Sequence, residues 1–276
     1  MYTGISTACF YNKMLNEDAL LQIAAMGVNK TEIFFSTMME YKNDYVLKLK
    51  GILDGEGLEM VSVHALPTQF EPQLFSSHPR QVEEATRLFR EVLTAAYTLG
   101  AKIYVFHGPY HFQVACGLNL DMEAIGEVVT RLAGIAGEYG VTLSYENVHW
   151  CWYMKPSFAS ELLAHTDSDN LQFTLDVKQA AQSGCCASEY IDAARGRLNH
   201  VHVCDYRVDE QKHIMPSLPF SGEADWETLR TKLNAAGYDG CIMMEVYADN
   251  YRSFEQLKEN YDRVDSFFAN RKEPRG

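Results

Sequence analysis

The chain has 276 residues, 47% of them hydrophobic, and 37 acidic against 24 basic side chains give a formal net charge of −13. That charge argues against a nucleic-acid phosphate backbone as partner, the apolar content argues against disorder, and no apolar run approaches the ~18–20 residues of a membrane span. The start, Met1-Tyr2-Thr3-Gly4-Ile5-Ser6, has no basic n-region, and seven cysteines without a CxxC pair read as reduced thiols of a cytoplasmic protein.

β-like runs and helical stretches alternate along the chain, the pattern of βα units. A run over Gly4–Phe10 precedes a helix capped by Asn16-Glu17-Asp18 and stopped by Gly27. Thr31–Phe35 is paired with a helix over Asp44–Leu53, and Leu58–His64 with a long helix that Pro79 opens and Gly100 stops. Lys102–His107 precedes a helix over Met122–Tyr139, and Val141–Glu146 one over Ser157–His165. Leu171–Asp176, Leu198–Val203 and Gly240–Val246 are the last three runs, with helices over Ala187–Ala194, Trp226–Ala236 and Ser253–Phe268. Eight units at about 34 residues each lie near the ~250-residue total of a closed barrel. Neither GxGxxG nor GxxxxGK[ST] occurs, so a doubly wound nucleotide fold is disfavoured. The expected fold is α/β, one (β/α)8 TIM barrel forming a single domain over 1–276, with 270–276 as a flexible tail.

Barrel active sites lie at the C-terminal ends of the strands. Glu146, Asp176, His202 and Glu245 close the fifth to eighth runs, and His64 and His107 close the third and fourth. Any one of these alone reads as a hydrogen-bonded polar group at a strand end. Three carboxylates and an imidazole at one mouth repel and desolvate one another unless a cation is present. The pattern therefore predicts a divalent metal site. Mostly hard oxygen donors favour Mn²⁺, with Mg²⁺ and Co²⁺ as alternatives, and Zn²⁺ if His64 and His107 join the set.

The segments Val61-Ser62-Val63-His64, Val105-Phe106-His107-Gly108, Leu143-Ser144-Tyr145-Glu146-Asn147, Thr174-Leu175-Asp176, His200-Val201-His202-Val203-Cys204-Asp205, Ser221-Gly222-Glu223-Ala224-Asp225-Trp226 and Met244-Glu245 resemble, in order, the sugar phosphate isomerase/epimerase superfamily. Its members are xylose-isomerase-like barrels and include AP-endonuclease-type enzymes. The resemblance implies that Glu146, Asp176, His202 and Glu245 are metal ligands and that Glu146 and Glu245 are catalytic acid/base groups. It prefers His202 over His200 as the ligand, and it puts His64 and His107 in the pocket as substrate contacts or further ligands. It implies an isomerase or epimerase of a sugar or sugar derivative, moving a proton through a metal-stabilised enediolate. The alternatives are a metal-dependent lyase or dehydratase, a hydrolase of the AP-endonuclease type, and a non-catalytic sugar-binding barrel. Gln179 stands where many epimerase-like members carry the histidine of Asp-x-x-His, which weakens the multi-metal nuclease reading, and Ala224 replaces a usual glycine.

Lys178, two residues beyond Asp176, points to the same side if the strand continues, and would bind a substrate anion or assist proton transfer. The competing reading is a lysine snorkelling to solvent. Gln179, Arg207 and Glu223 are further substrate-binding candidates, Arg207 against a surface salt bridge and Glu223 against loop solvation. Glu32 reads as a structural hydrogen-bond acceptor. The aromatic runs Tyr110-His111-Phe112 and His149-Trp150-Cys151-Trp152-Tyr153 suit stacking on a small polyhydroxy substrate or burial in a homodimer.

Overall fold

Eight strands hydrogen-bond in parallel around a closed ring in this computed structural model, which describes residues 1–111 and 120–269. The tail 270–276 and Phe112 of the first aromatic run lie outside the described residues. The strands are β1 (Tyr2–Ser6), β2 (Lys30–Phe35), β3 (Glu59–Ala65), β4 (Ile103–Phe106), β5 (Thr142–Glu146), β6 (Leu171–Asp176) and β7 (Leu198–Val203), closed by β10 (Cys241–Met244) between β7 and β1. The helices α1 (Asn16–Ala25), α2 (Asn43–Glu56), α3 (Pro79–Leu99), α4 (Met122–Glu138), α5 (Pro156–Leu162), α6 (Val177–Gln182), α7 (Ala187–Ala193), α8 (Trp226–Ala235) and α9 (Phe254–Ala269) complete the βα units. The chain is a (β/α)8 TIM barrel.

Sequence chemistry explains the element ends. Pro79 occupies the first turn of α3, where its missing N–H costs nothing, and Gly100 ends the helix at φ 89°. Between them Ala85, Leu88, Phe89, Val92, Ala96 and Leu99 recur at helical spacing and are buried against the barrel. No helix among the described residues is long and apolar enough to cross a membrane.

Three local structures depart from the sequence expectation. β1 stops at Ser6, whose hydroxyl accepts from the Ala8 N–H and caps a 3₁₀ turn over Thr7–Phe10. Asp176 does not continue a strand. Its carboxylate accepts the Gln179 N–H at 2.7 Å and N-caps α6, so Lys178 sits in a helical first turn instead of an extended segment. A two-stranded antiparallel hairpin, β8 (Asp205–Val208) with β9 (Ile214–Ser217), projects beyond β7, turning at Lys212 in a left-handed conformation.

The barrel interior is polar below the mouth. Glu32, Ser62, Ser144, Thr174, His200 and His202 are all fully buried. Ser144 Oγ lies 2.6 Å from Thr174 Oγ1 and donates to Asn199 Oδ1 at 2.7 Å, linking strands β5, β6 and β7 through side chains.

Candidate active site and metal centre

Glu146 ends β5, Asp176 ends β6, His202 is the penultimate residue of β7, and Glu245 directly follows β10. Each contributes one donor atom to a group whose members all lie within 4.8 Å of one another. His202 is the centre of it. Its Nδ1 is 2.8 Å from Glu146 Oε1 and 3.2 Å from Glu245 Oε2, while its Nε2 is 3.0 Å from Glu32 Oε2. Asn147 fixes the neighbouring strand end: its amide oxygen accepts the Asp176 N–H at 2.7 Å and its amide nitrogen donates to the Asp176 carbonyl at 3.0 Å.

The two remaining strand-end histidines face the same space. His64 Nε2 is 3.5 Å from Glu245 Oε1 and 3.3 Å from Glu32 Oε1, with its ring against Phe34 at 4.7 Å between centroids. His107 Nε2 is 3.1 Å from Glu146 Oε2. Beside these groups is a cavity of about 200 Å³, walled by Tyr11, Phe34, Trp150, Gln179 and Tyr247 together with His64, His107, Glu146 and Glu245.

Charge is crowded here, and the ionisation equilibria show it. Burial pushes the Asp176 carboxyl up, aided by Glu146 and Glu245 and opposed by Lys178, to about 6. Burial also opposes ionisation of Glu146, but the His202 and His107 imidazoles outweigh it and hold Glu146 well below the usual carboxylate range. Burial alone would keep His202 neutral, yet Glu32, Glu245 and Glu146 together raise it well above its ordinary value. His107 follows the same rule, burial opposing and Glu71 and Glu146 prevailing, and is raised to about 10.

Lys178 is buried. Its ammonium lies 3.7 Å from Asp176 Oδ2, donates to the Tyr247 hydroxyl at 3.0 Å, and sits over that ring. Against the cost of burial, Asp176 and Tyr247 hold it protonated, well above the ordinary lysine value. The snorkelling alternative is therefore not what the structure shows.

The xylose isomerase-like TIM barrel family model matches residues 20–267. The chain belongs to this family. Among curated proteins it is similar to the inosose dehydratase of Geobacillus thermodenitrificans (strain NG80-2), 21% identical over 226 residues and covering 73% of each chain. Among solved structures it resembles D-psicose 3-epimerase from Clostridium cellulolyticum H10, with a TM-score of 0.78 at 19% identity and 98% of each chain covered. It is equally close in fold to the IOLI protein with a binding zinc atom, TM-score 0.78 at 18% identity and 98% of each chain covered.

Within this family barrel, two sequence candidates do not reach the cavity. Arg207 lies on β8 with its guanidinium donating to the Ser221 carbonyl, and Glu223 accepts the Val208 N–H from across the same loop. Both side chains are exposed, and neither lines the cavity. Gln179 does line the cavity, but its amide oxygen is taken by His149, from the backbone N–H at 3.1 Å and facing imidazole Nδ1 at 2.5 Å.

No local sequence pattern marks Glu71. Fully buried on a 3₁₀ turn, it accepts the His107 and Gly108 N–H groups, both at 2.9 Å, and the Tyr104 hydroxyl at 2.7 Å. It thereby holds the chain end that presents His107. Gly108 is required there: φ is +71° and a Cβ would lie 2.0 Å from the Tyr145 hydroxyl. The aromatic loops after β4 and β5 pack on each other, Tyr110 against Trp150 at 5.1 Å between ring centroids.

Proposed function

We propose that the protein is a divalent-metal-dependent epimerase or isomerase of a sugar or sugar derivative. The observation that carries this reading is the convergence of Glu146, Asp176, His202 and Glu245 on one another, with Glu146 and Glu245 lining the cavity. The donor set fits a cation: Asp176 is held partly protonated by burial and by two neighbouring carboxylates, a repulsion that a bound cation removes. These four residues would hold the ion, and three carboxylates with one imidazole suit Mn²⁺, with Mg²⁺, Co²⁺ and Zn²⁺ as alternatives. Such an ion supplies Lewis-acid polarisation of a substrate carbonyl and its neighbouring hydroxyl.

The protein's own groups do the proton work. Glu146 and Glu245 come from strands separated in the ring by β6 and β7, so they approach the cavity from different sides. One takes the proton from the carbon beside the carbonyl, leaving an enediolate. The other relays a proton drawn from solvent to the opposite face. The Lys178 ammonium and the His107 imidazolium add positive charge where the oxyanion develops. Tyr11, Phe34, Trp150 and Tyr247 cover the cavity and offer ring faces to a sugar. The named activities of the relatives, inosose dehydratase and D-psicose 3-epimerase, support a sugar-like substrate.

One observation favours a second reading, a dehydratase. Lys178 and Tyr247 are hydrogen-bonded proton donors beside Asp176, suited to protonating a departing hydroxyl. Deuterium wash-in from D₂O with Mn²⁺, followed by NMR across ketoses, aldoses, inososes and keto-acids, separates the two. Exchange at a single carbon without loss of water, abolished by EDTA and restored by Mn²⁺, is the expected result. Loss of water in place of exchange selects the dehydratase, and no reaction with any substrate class at confirmed metal loading rejects both.

Metal affinity is expected to rise with pH. Without the ion His202 is protonated at neutral pH, and a ligand imidazole must be neutral, so binding releases a proton. Below about 6 Asp176 adds a second. For Asp176 the folded carboxyl is raised above its unfolded value. Its contribution to stability is therefore fully present below the unfolded pKa and lost as pH rises through about 6. The gain in Tm on adding Mn²⁺ should accordingly be larger at pH 7.5 than at pH 5. Calorimetry in two buffers of different ionisation enthalpy counts the protons, and an affinity flat from pH 5 to 8 contradicts the assignment.

A further inference from the structure

We infer that Glu32 is a positioning residue that sets which nitrogen of His202 faces the metal, an inference that rests on the metal-centre reading above. Glu32 is on β2, on the far side of the barrel from His202, and fully buried. One of its oxygens, Oε2, receives the Ser62 hydroxyl at 2.6 Å and lies 3.1 Å from His200 Nε2 and 3.0 Å from His202 Nε2.

A neutral imidazole carries one N–H. In the metal-free chain carboxylates face both nitrogens, Glu146 at 2.8 Å from Nδ1 and Glu32 at 3.0 Å from Nε2. When a cation displaces the Nδ1 proton, Glu32 therefore keeps the remaining N–H on Nε2 and leaves the Nδ1 lone pair to the ion. Nδ1 is the atom that faces Glu146 and Glu245. A proton on Nδ1 satisfies those two carboxylates in the metal-free chain, and a cation taking that proton's place would turn the same groups into a ligand set. Glu32 therefore orients His202 from below, the arrangement in which a carboxylate behind a ligand histidine fixes its tautomer and raises its basicity. Ser62 and His200 hold Glu32 in turn, so the buried polar layer beneath the mouth is the support of the site.

Another arrangement of the same atoms is chemically different. Glu32 Oε1 has no hydrogen-bond partner, and with His64 and Glu245 it forms a second group able to hold a cation. In that case Glu32 would be a ligand in its own right.

Mn²⁺ binding to the metal-free full-length chain, followed by calorimetry and by electron paramagnetic resonance of the free ion, distinguishes these cases. Glu32→Gln keeps the volume, and is expected to weaken Mn²⁺ binding about 10–100-fold at an unchanged stoichiometry of one ion. The melting temperature of the metal-free variant should not fall in proportion, which a purely structural role would require. In the Zn²⁺-loaded, ¹⁵N-histidine-labelled chain, the His202 Nε2–H resonance should move on Glu32→Gln. Ser62→Ala, which keeps the Glu32 charge but removes one donor, should weaken binding several-fold, and it carries the test if Glu32→Gln does not fold. Wild-type affinity in both variants overturns the inference. So do two ions per wild-type chain with one lost in Glu32→Gln, which makes Glu32 a ligand. If the wild-type chain binds no ion at all, the metal-centre reading itself fails.

Discussion

Replacing Glu245 by glutamine is expected to lower turnover by about 10²–10⁴-fold, the range for loss of a positioned acid/base group. Glutamine keeps the shape, so the barrel should remain intact. It removes the negative charge that lies 3.2 Å from His202 Nδ1 and 3.5 Å from His64 Nε2. The effect therefore has two sources, a lost base and a weakened cation site, and saturating Mn²⁺ separates them: metal restores only the second. The stereochemistry gives a sharper readout. If Glu146 and Glu245 serve opposite faces, the variant retains Glu146 as its only base. Deuterium exchange should then survive with one epimer of the substrate and vanish with the other, and Glu146→Gln should show the reverse. The two losses should not add in the double variant, because the residues act as a unit. A Glu245→Gln enzyme within tenfold of wild type at saturating metal, exchanging both epimers, removes Glu245 from the chemistry.

The ring of strands was legible because each apolar run is bounded by a glycine or a capping residue, and because eight such runs alternate with helices. Side chains at equivalent strand ends must converge once the ring closes, so the convergence of Glu146, Asp176, His202 and Glu245 follows from the topology alone. What the sequence could not give was anything that depends on a partner distant along the chain. Arg207 was a candidate because it follows His202 closely and Glu223 because its segment resembles the superfamily, but the folded hairpin and the loop after it leave both side chains exposed and off the cavity lining. Lys178 was read in an extended segment, while the Asp176 side chain had a second use as a helix cap. Glu71 has its partners at Tyr104, His107 and Gly108, more than thirty residues on, and no local pattern marks it. Glu32 reads as a structural acceptor on local grounds. Only the closed barrel reveals that what it accepts includes the back of His202.

Asp205→Ala is expected to destabilise the fold by roughly 3–5 kcal/mol, because it strands one buried and three partly buried donors at once. Asp205 is fully buried at the start of the hairpin. Its carboxylate accepts the Tyr206 N–H at 2.7 Å, the Gly222 and Ala224 N–H groups at 3.0 Å, and the Trp226 indole N–H at 3.0 Å. One side chain thus ties the loop over 218–226 and the start of α8 to the end of β7. The approach is so close that a Cβ on Gly222 would lie 2.0 Å from the Tyr206 carbonyl oxygen, so Gly222→Ala should break the same junction by steric conflict. At about 2–4 °C per kcal/mol for a chain of this size or somewhat smaller, Asp205→Ala should lower the Tm by roughly 10 °C. Asp205→Asn retains one acceptor oxygen and should lose less. The loop and hairpin stand off the cavity, so the Asn variant assayed well below its Tm should keep turnover within a few-fold of wild type. A variant that melts normally but has lost turnover would mean that the junction shapes the site directly, and that Glu223 or Arg207, held by this loop, reaches substrate after all.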